Sequence, residues 1–364
     1  MTTATPSAIP MARSWHDDDD LRAVEAVLVS GVLTGGPVVE AFEAGVARFL
    51  GAEQAVAVNS GTAALELALR ASGVGPGDEV IVPTFTYIAS AAAVAAVGAT
   101  PVLVDIRPDQ PTVDPAAVDA AVGPRTVAVI AVHLYGHPAE TGSIAAVATR
   151  RGILVIDDAA QAFGAVDAGR MVGSTGTACL SFHASKHLST GEGGMVVTDD
   201  AAFADRLRRG RDHGTVGACL HASLGSNHRL SATSAAIGTV QVGRQQAWLA
   251  RRRAVAAQLG AGLPQVAIPP RAGAEPSWMS FPLRIGPRRD MVLDALRHGG
   301  IDARSYYPRT LHEQPGLEGV ARRMPAPVAA RAARELLCLP CHPHLSDEDV
   351  ERVIGVVASA VASG

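Results

Sequence analysis

From residue 54 onward, short runs of apolar, largely β-branched residues alternate with stretches whose apolar positions recur every three or four residues. The runs Ala55–Val58, Glu79–Val82, Pro101–Asp105, Val127–Val132 and Ile153–Ile156 are apolar along nearly their whole length. A half-exposed strand would show polar residues at every second position, so these runs predict strands covered on both faces. Their alternation with helical spacing predicts an α/β arrangement with a mainly parallel sheet. Upstream, Leu21, Val24, Val27 and Leu28 predict one helix and residues 38–49 a second, with the turn Gly31-Val-Leu-Thr-Gly-Gly-Pro37 between them. Residues 1–12, small, polar and proline-containing, predict a loose tail.

A long helical pattern covers about Ser231 to Leu263, and the proline- and glycine-rich stretch 264–276 follows it. Strand candidates then fall at Met279–Ile285 and Leu336–Leu339, and helix candidates at Asp290–His298 and Asp347–Ala360. The expected organisation is a large α/β domain over 13–245 and a smaller C-terminal α+β domain over 246–364.

Composition narrows the function classes. A chain of 364 residues, 48% apolar and 18% charged, has the composition of a globular protein with a substantial core. A formal charge of -4 without a basic stripe argues against nucleic acid or an anionic membrane surface as partner. No apolar run reaches the roughly 18 residues of a membrane span, and no basic-then-apolar leader opens the chain, so a cytoplasmic protein is expected. Cys338-Leu-Pro-Cys341 has CxxC spacing but lacks a second ligand pair, so no metal is expected there. Asp17-Asp-Asp-Asp20 has the look of a metal site, but acidic residues just before a helical pattern fit a helix start better.

The chemistry centres on Ser181-Phe-His-Ala-Ser-Lys-His-Leu-Ser-Thr-Gly-Glu-Gly-Gly194, which contains Lys186, the only lysine in the chain. An amine held away from water between a strand and a glycine turn loses its proton readily and attacks carbonyls. Asn59-Ser-Gly-Thr-Ala-Ala64 follows a strand and opens a helix. There Ser60 or Asn59 caps, Gly61 allows close approach, and Thr62 and Ala63 offer N–H groups, as an anion such as phosphate requires. Asp157-Asp158 ends an apolar strand, where ligands of parallel sheets bind, and a carboxylate there can keep a heterocyclic nitrogen protonated. Tyr87, after another strand, can stack on a flat ring. Lysine, carboxylate, stacking ring and phosphate cup together describe a pyridoxal 5'-phosphate site: Lys186 attaches the cofactor, Asp158 pairs with its ring nitrogen, and Ser60–Ala63 with Ser181 surround its phosphate. His183, close to the lysine, is expected in this cofactor-binding set and as a contact to substrate, with a structural role as the alternative.

These residues sit in motifs that occur in order: NSGTAALELAL, GDEVIVPTFTYIAS, HLYGHPAE, VIDDAAQAFGA, SFHASKHLSTGEGGMVVTDD and LPCHPHLSDEDV. The chain thereby resembles the DegT/DnrJ/EryC1/StrS family of pyridoxal-phosphate-dependent sugar aminotransferases, from about Leu33 to its end. The resemblance implies a fold-type I transferase with a mostly parallel seven-stranded sheet and a homodimer with shared active sites. It implies that Gln161 packs near the cofactor's ring hydroxyl and that Asn227 of one subunit reaches the phosphate in the other's site. It further implies that Arg229 binds the amino donor's carboxylate and that Tyr307 and His312 approach the substrate from the small domain. Relatives that dehydrate sugars carry histidine at the lysine position, so Lys186 points to transamination. The implied reaction moves an amino group from glutamate or glutamine to a ketosugar, nucleotide-linked and aminated at carbon 4 by the likeness of Thr190 and the Gly191–Gly194 turn. His228, where the family usually has an aromatic residue, and the loss of an acidic residue just beyond it leave the acceptor open. The alternatives are a ketocyclitol acceptor and a non-catalytic ligand-sensing protein on the same fold.

Overall fold

The apolar runs form strands β1 (Gln54–Val58), β2 (Glu79–Pro83), β3 (Thr100–Val104), β4 (Thr126–Val132), β5 (Leu154–Asp158), β6 (Thr177–Ser181) and β7 (Gly194–Thr198). They lie side by side in the order β1-β7-β6-β5-β4-β2-β3, all parallel except β7, which runs against both its neighbours. A two-residue strand, Arg322–Arg323, joins the outer edge of β3, so the expected seven strands gain an eighth from the C-terminal part of the chain. The computed structural model describes residues 8–362.

Why the strands read as uninterrupted apolar runs is now plain. Val56, Val58, Val80, Val82, Ile130 and Ile156 enter one core, under helices α3 (Gly61–Ala71) and α4 (Ala89–Ala96). The alternate residues Ile81, Val102, Val104, Val129 and Ala131 enter another, under α5 (Pro115–Ala121) and α6 (Thr141–Arg151). Both faces of the sheet are covered at these positions, so neither set can be polar, and only the start of β5 departs, with Leu154 47% exposed.

The amino-terminal helices depart from expectation in part. Helix α1 (Asp18–Ser30) starts at the acidic run: the Asp17 carboxylate accepts the Asp19 N–H at 2.9 Å, and Asp20 reaches back to the Asp17 N–H at 3.1 Å. This reciprocal cap stabilises the helix by about 1 kcal/mol. Asp20 is also buried against Arg244 at 2.8 Å. Of the predicted apolar face, however, Val27 is buried while Leu21 and Leu28 are 66% and 59% exposed. The loose tail expected over 1–12 needs correcting where the chain is described: Ile9 and Met11 are buried, and Ile9 bridges to Ile301. A strap from Ile9 to Trp15 is tied by the Ser14 hydroxyl to the Ala184 carbonyl at 2.7 Å, two residues before Lys186. Residues 1–7 of that expectation lie outside the described residues.

After α2 (Pro37–Leu50) and α7 (Ala201–Gly210), helix α8 (Ala232–Gly262) runs unbroken through position 245, where a domain division was expected. We propose the same division in terms of cores rather than a linker. Ala235 packs on the large sheet, whereas Val255, Ala256 and Leu259 pack with the antiparallel pair Phe281–Arg284 and Leu336–Leu339. The two parts thus share one helix.

Candidate active site

Strand ends gather the candidate residues at one edge of the sheet. Beyond β1, the Ser60 hydroxyl accepts the Ala63 N–H at 3.0 Å and so caps α3. The Ala63 N–H expected to face an anion is therefore engaged by the cap, and Ala63 does not line the cavity; Gly61 and Thr62 do. Close packing dictates the glycines here. A Cβ on Gly61 would lie 2.8 Å from the Ser181 Cβ, and one on Gly194 only 2.2 Å from the Ser60 carbonyl oxygen. In register, Val58, Gly194 and Ser181 form one row across β1, β7 and β6, which brings the cap against the end of β6.

A cavity of about 460 Å³ opens over this edge. Its size suits a small-molecule ligand. Ser60, Gly61, Thr62, Ser181, His183, Asp158, Gln161, Tyr87, Tyr307 and Lys186 all line it. Tyr87 is 56% exposed, its ring 6.0 Å from that of Tyr307. It is therefore a cavity-lining ring rather than a core residue.

The two aspartates at the end of β5 part company, as neighbours on a strand must. Asp157 pairs in register with Ala131 and faces His133 at 3.3 Å on one side of the sheet. Asp158 pairs with Val132 and lies on the other side, 5% exposed. Its Oδ2 accepts the Ser90 hydroxyl at 2.7 Å and its Oδ1 the Ala160 N–H at 3.2 Å. Burial raises its proton affinity; these two donors and Lys186 oppose the rise. Burial also pulls the Lys186 amine down to about 8, with Asp158 resisting. An amine so placed is partly neutral near physiological pH, as a nucleophile or proton carrier requires.

Gln161 links two chain segments. Its side-chain oxygen accepts the Tyr135 N–H at 2.9 Å, and its amide nitrogen donates to the Tyr307 hydroxyl at 3.1 Å. Burial holds the Tyr307 hydroxyl well above its usual range, so it stays protonated. His183 accepts at Nδ1 from the Ser185 N–H at 3.2 Å, which turns Nε2 toward Glu192 at 3.9 Å.

Besides Ala63, three expected residues lie off this chain's own cavity wall, one of which, Asn227, is expected in the site of a second copy. His312 is not on the cavity wall: its Nδ1 shares a 2.5 Å hydrogen bond with the Thr84 hydroxyl, and its Nε2 meets the Met324 carbonyl at 2.7 Å. Asn227 and Arg229 are also off the wall. The Asn227 carbonyl accepts from Asn59 Nδ2 at 3.2 Å, and Arg229 is paired with Asp212. Conversely, Ser90, Thr86, Glu192 and Tyr306 line the cavity without having been singled out. Ser90 carried one legible signal, as the sole hydroxyl in the helix Ala89-Ser-Ala-Ala-Ala-Val-Ala-Ala96.

The donor set fits pyridoxal phosphate. A cradle with no room for a Cβ at Gly61 lies at a helix N-terminus, a buried carboxylate lies beyond it, and the chain's one lysine is on the same wall. Among the described residues no group of three or more potential metal ligands is found.

Comparison with known proteins bears on this cavity. The family model described as the DegT/DnrJ/EryC1/StrS aminotransferase family matches residues 15–358. The chain is 43% identical over 342 residues to the dTDP-3-amino-3,4,6-trideoxy-alpha-D-glucose transaminase of Streptomyces venezuelae, covering 92% of this chain and 90% of that protein. It is 41% identical over 368 residues to the UDP-N-acetyl-3-dehydro-alpha-D-glucosamine 3-aminotransferase of Acidithiobacillus ferrooxidans, covering 96% and 97%. The crystal structure of DesV from S. venezuelae superposes with a TM-score of 0.91 at 41% identity, over 94% of each chain.

Proposed function

The chain belongs to the DegT/DnrJ/EryC1/StrS aminotransferase family and is a pyridoxal-phosphate-dependent aminotransferase, and from that premise we propose that it aminates a nucleotide-linked ketosugar. The observation that supports the site reading is the convergence of Lys186, Asp158 and the Ser60 cap on one cavity at the strand ends. When bound, the cofactor supplies an aldehyde that carries the amino group and a protonated ring that takes up electrons. In this reading Lys186 holds the cofactor and moves a proton at its Nζ, and Asp158 holds the ring-nitrogen proton. The Gly61 and Thr62 N–H groups with the Ser60 and Ser181 hydroxyls meet the phosphate. Tyr87 would stack on the ring, and His183, on the same cavity, would complete the cofactor-binding set.

The names of the two relatives given above place the amino group at carbon 3 of a nucleotide-linked sugar. We therefore take a 3-keto sugar in preference to the 4-keto sugar expected from the glycine turn, with glutamate or glutamine as donor. The test is to load the protein as its pyridoxamine form and offer nucleotide-linked 3-keto and 4-keto sugars and ketocyclitols. Conversion to the pyridoxal form by a 3-keto sugar at least about tenfold faster than by the others is expected; a faster ketocyclitol would displace this reading.

We also propose that two copies share each site. Of the residues lining the cavity none is an arginine, although a donor carboxylate calls for one. Asn227 and Arg229 follow a hairpin, Thr215–Gly217 with Leu220–His221, whose Leu220 is 65% exposed, and α1 presents Leu21 and Leu28 to solvent. Apolar surface left so open is suited to a second copy of the chain, whose cavity Asn227 and Arg229 would then complete. Mixing inactive Lys186→Ala and inactive Asn227→Asp chains should restore activity, because some mixed dimers then contain one site free of both defects. No recovery in any mixture would mean that each chain builds its own site.

A further inference from the structure

We propose that Ser90 is a positioning residue whose hydroxyl keeps the Asp158 carboxylate ionised and oriented toward the cofactor's ring nitrogen; this rests on the pyridoxal-phosphate reading of the cavity. Helix α4 is otherwise built of alanine and valine, and Ser90 sits in its first turn with 1% of its surface exposed. Alanine would be the better helix former there and would bury no polar group. A hydroxyl placed in such a wall needs a partner, and the one it has is Asp158 Oδ2 at 2.7 Å. That distance is typical of a charge-assisted hydrogen bond to a carboxylate.

The geometry divides the work between the two carboxylate oxygens. Oδ1 takes the Ala160 N–H at 3.2 Å, a backbone donor that any residue except proline supplies, and Oδ2 takes Ser90. The carboxylate plane is thereby pinned at both ends, leaving the outward lone pairs for the cavity. Besides its two hydrogen-bond donors, the groups that favour a charged Asp158 are Lys186 and, when protonated, His133 on the other side of the strand. Without the Ser90 hydroxyl, Oδ2 would face a dry wall unpaired. Asp158 would then take the shared proton onto its own oxygen, leaving the ring nitrogen neutral. The change would be the transfer of one proton from the ring nitrogen to the Asp158 carboxylate, with no other bond made or broken.

The test separates this role from simple packing by using two ligands. Apoprotein is titrated with pyridoxal phosphate and with its analogue carrying a C–H group in place of the ring nitrogen. The unaltered protein should prefer the natural ligand by at least about tenfold, since only that ligand can pair with Asp158. In Ser90→Ala that preference should fall by about tenfold while affinity for the analogue changes less than about threefold. Retained analogue affinity also reports an intact fold. Ser90→Thr, which keeps the hydroxyl, should preserve the preference, and Ser90→Val, which matches threonine in size but lacks the hydroxyl, should lose it. Equal weakening toward both ligands, or an unchanged preference in Ser90→Ala and Ser90→Val, would reduce Ser90 to a packing residue and overturn the proposal. An unaltered protein that binds both ligands equally would also overturn it, through Asp158. One that binds neither would instead bring down the cofactor reading beneath it.

Discussion

Alanine in place of Lys186 is expected to lower transamination by at least about 10⁴-fold, to the limit of detection. The argument is partly one of composition: with no other lysine in the chain, no neighbouring amine can substitute for it. It is also one of placement, since the amine shares a cavity wall with the Ser60 cap and with Asp158. Arginine at this position should fail as fully, because a guanidinium stays protonated at any workable pH. The same residue sets a pH dependence. Only the neutral amine attacks an aldehyde, and burial lowers its pKa to about 8. Capture of pyridoxal phosphate by the apoprotein should therefore quicken by about tenfold per pH unit below 8 and level off above it. A rate still climbing beyond pH 10 would mean an ordinary, water-exposed lysine.

The second large effect is an asymmetry between neighbours. Asp158→Asn should lower turnover on the order of a thousandfold, whereas Asp157→Asn should cost less than about tenfold. An amide has almost the shape of the carboxylate and keeps the packing, but it cannot hold a nearby nitrogen protonated. Asp158 lies on the cavity side of β5 and Asp157 on the opposite side, toward His133. Steady-state rates of the two variants, measured side by side, decide the matter. Equal losses, or a greater loss at Asp157, would contradict the side of the strand assigned to each.

Much of this was legible in the chain. Continuous apolar runs predicted strands buried on both faces, and β1 to β5 fall on them, because a sheet dry on both sides permits no polar alternation. Lys186, Asp158 and Ser60 could be proposed together since each sits at a strand end, and parallel strands deliver their ends to one edge. The contributions of long-range packing could not be read in the same way. Tyr307 reaches Gln161 from 146 residues away. The position of His312 against Thr84 depends on how the segment after the small domain's first strand docks on β2, which no local pattern encodes. Ser90 was hidden for a different reason: its significance lies in one contact, with Asp158 Oδ2, across 68 residues. The strap at Ile9 and Met11 was misread because proline and small residues suggest looseness, while two apolar side chains suffice to anchor it.

The claim that Lys186 is the residue that holds the cofactor admits a direct measurement. Borohydride reduces the carbon–nitrogen bond between a lysine and the cofactor's aldehyde, making the attachment permanent. Holoenzyme treated in this way, digested and mapped by mass spectrometry, should show a phosphopyridoxyl group on the peptide containing Lys186 at close to one per chain. Attachment to a peptide without that lysine, such as the one bearing the chain's amino terminus, or no attachment in protein whose cofactor content is verified, would contradict the account.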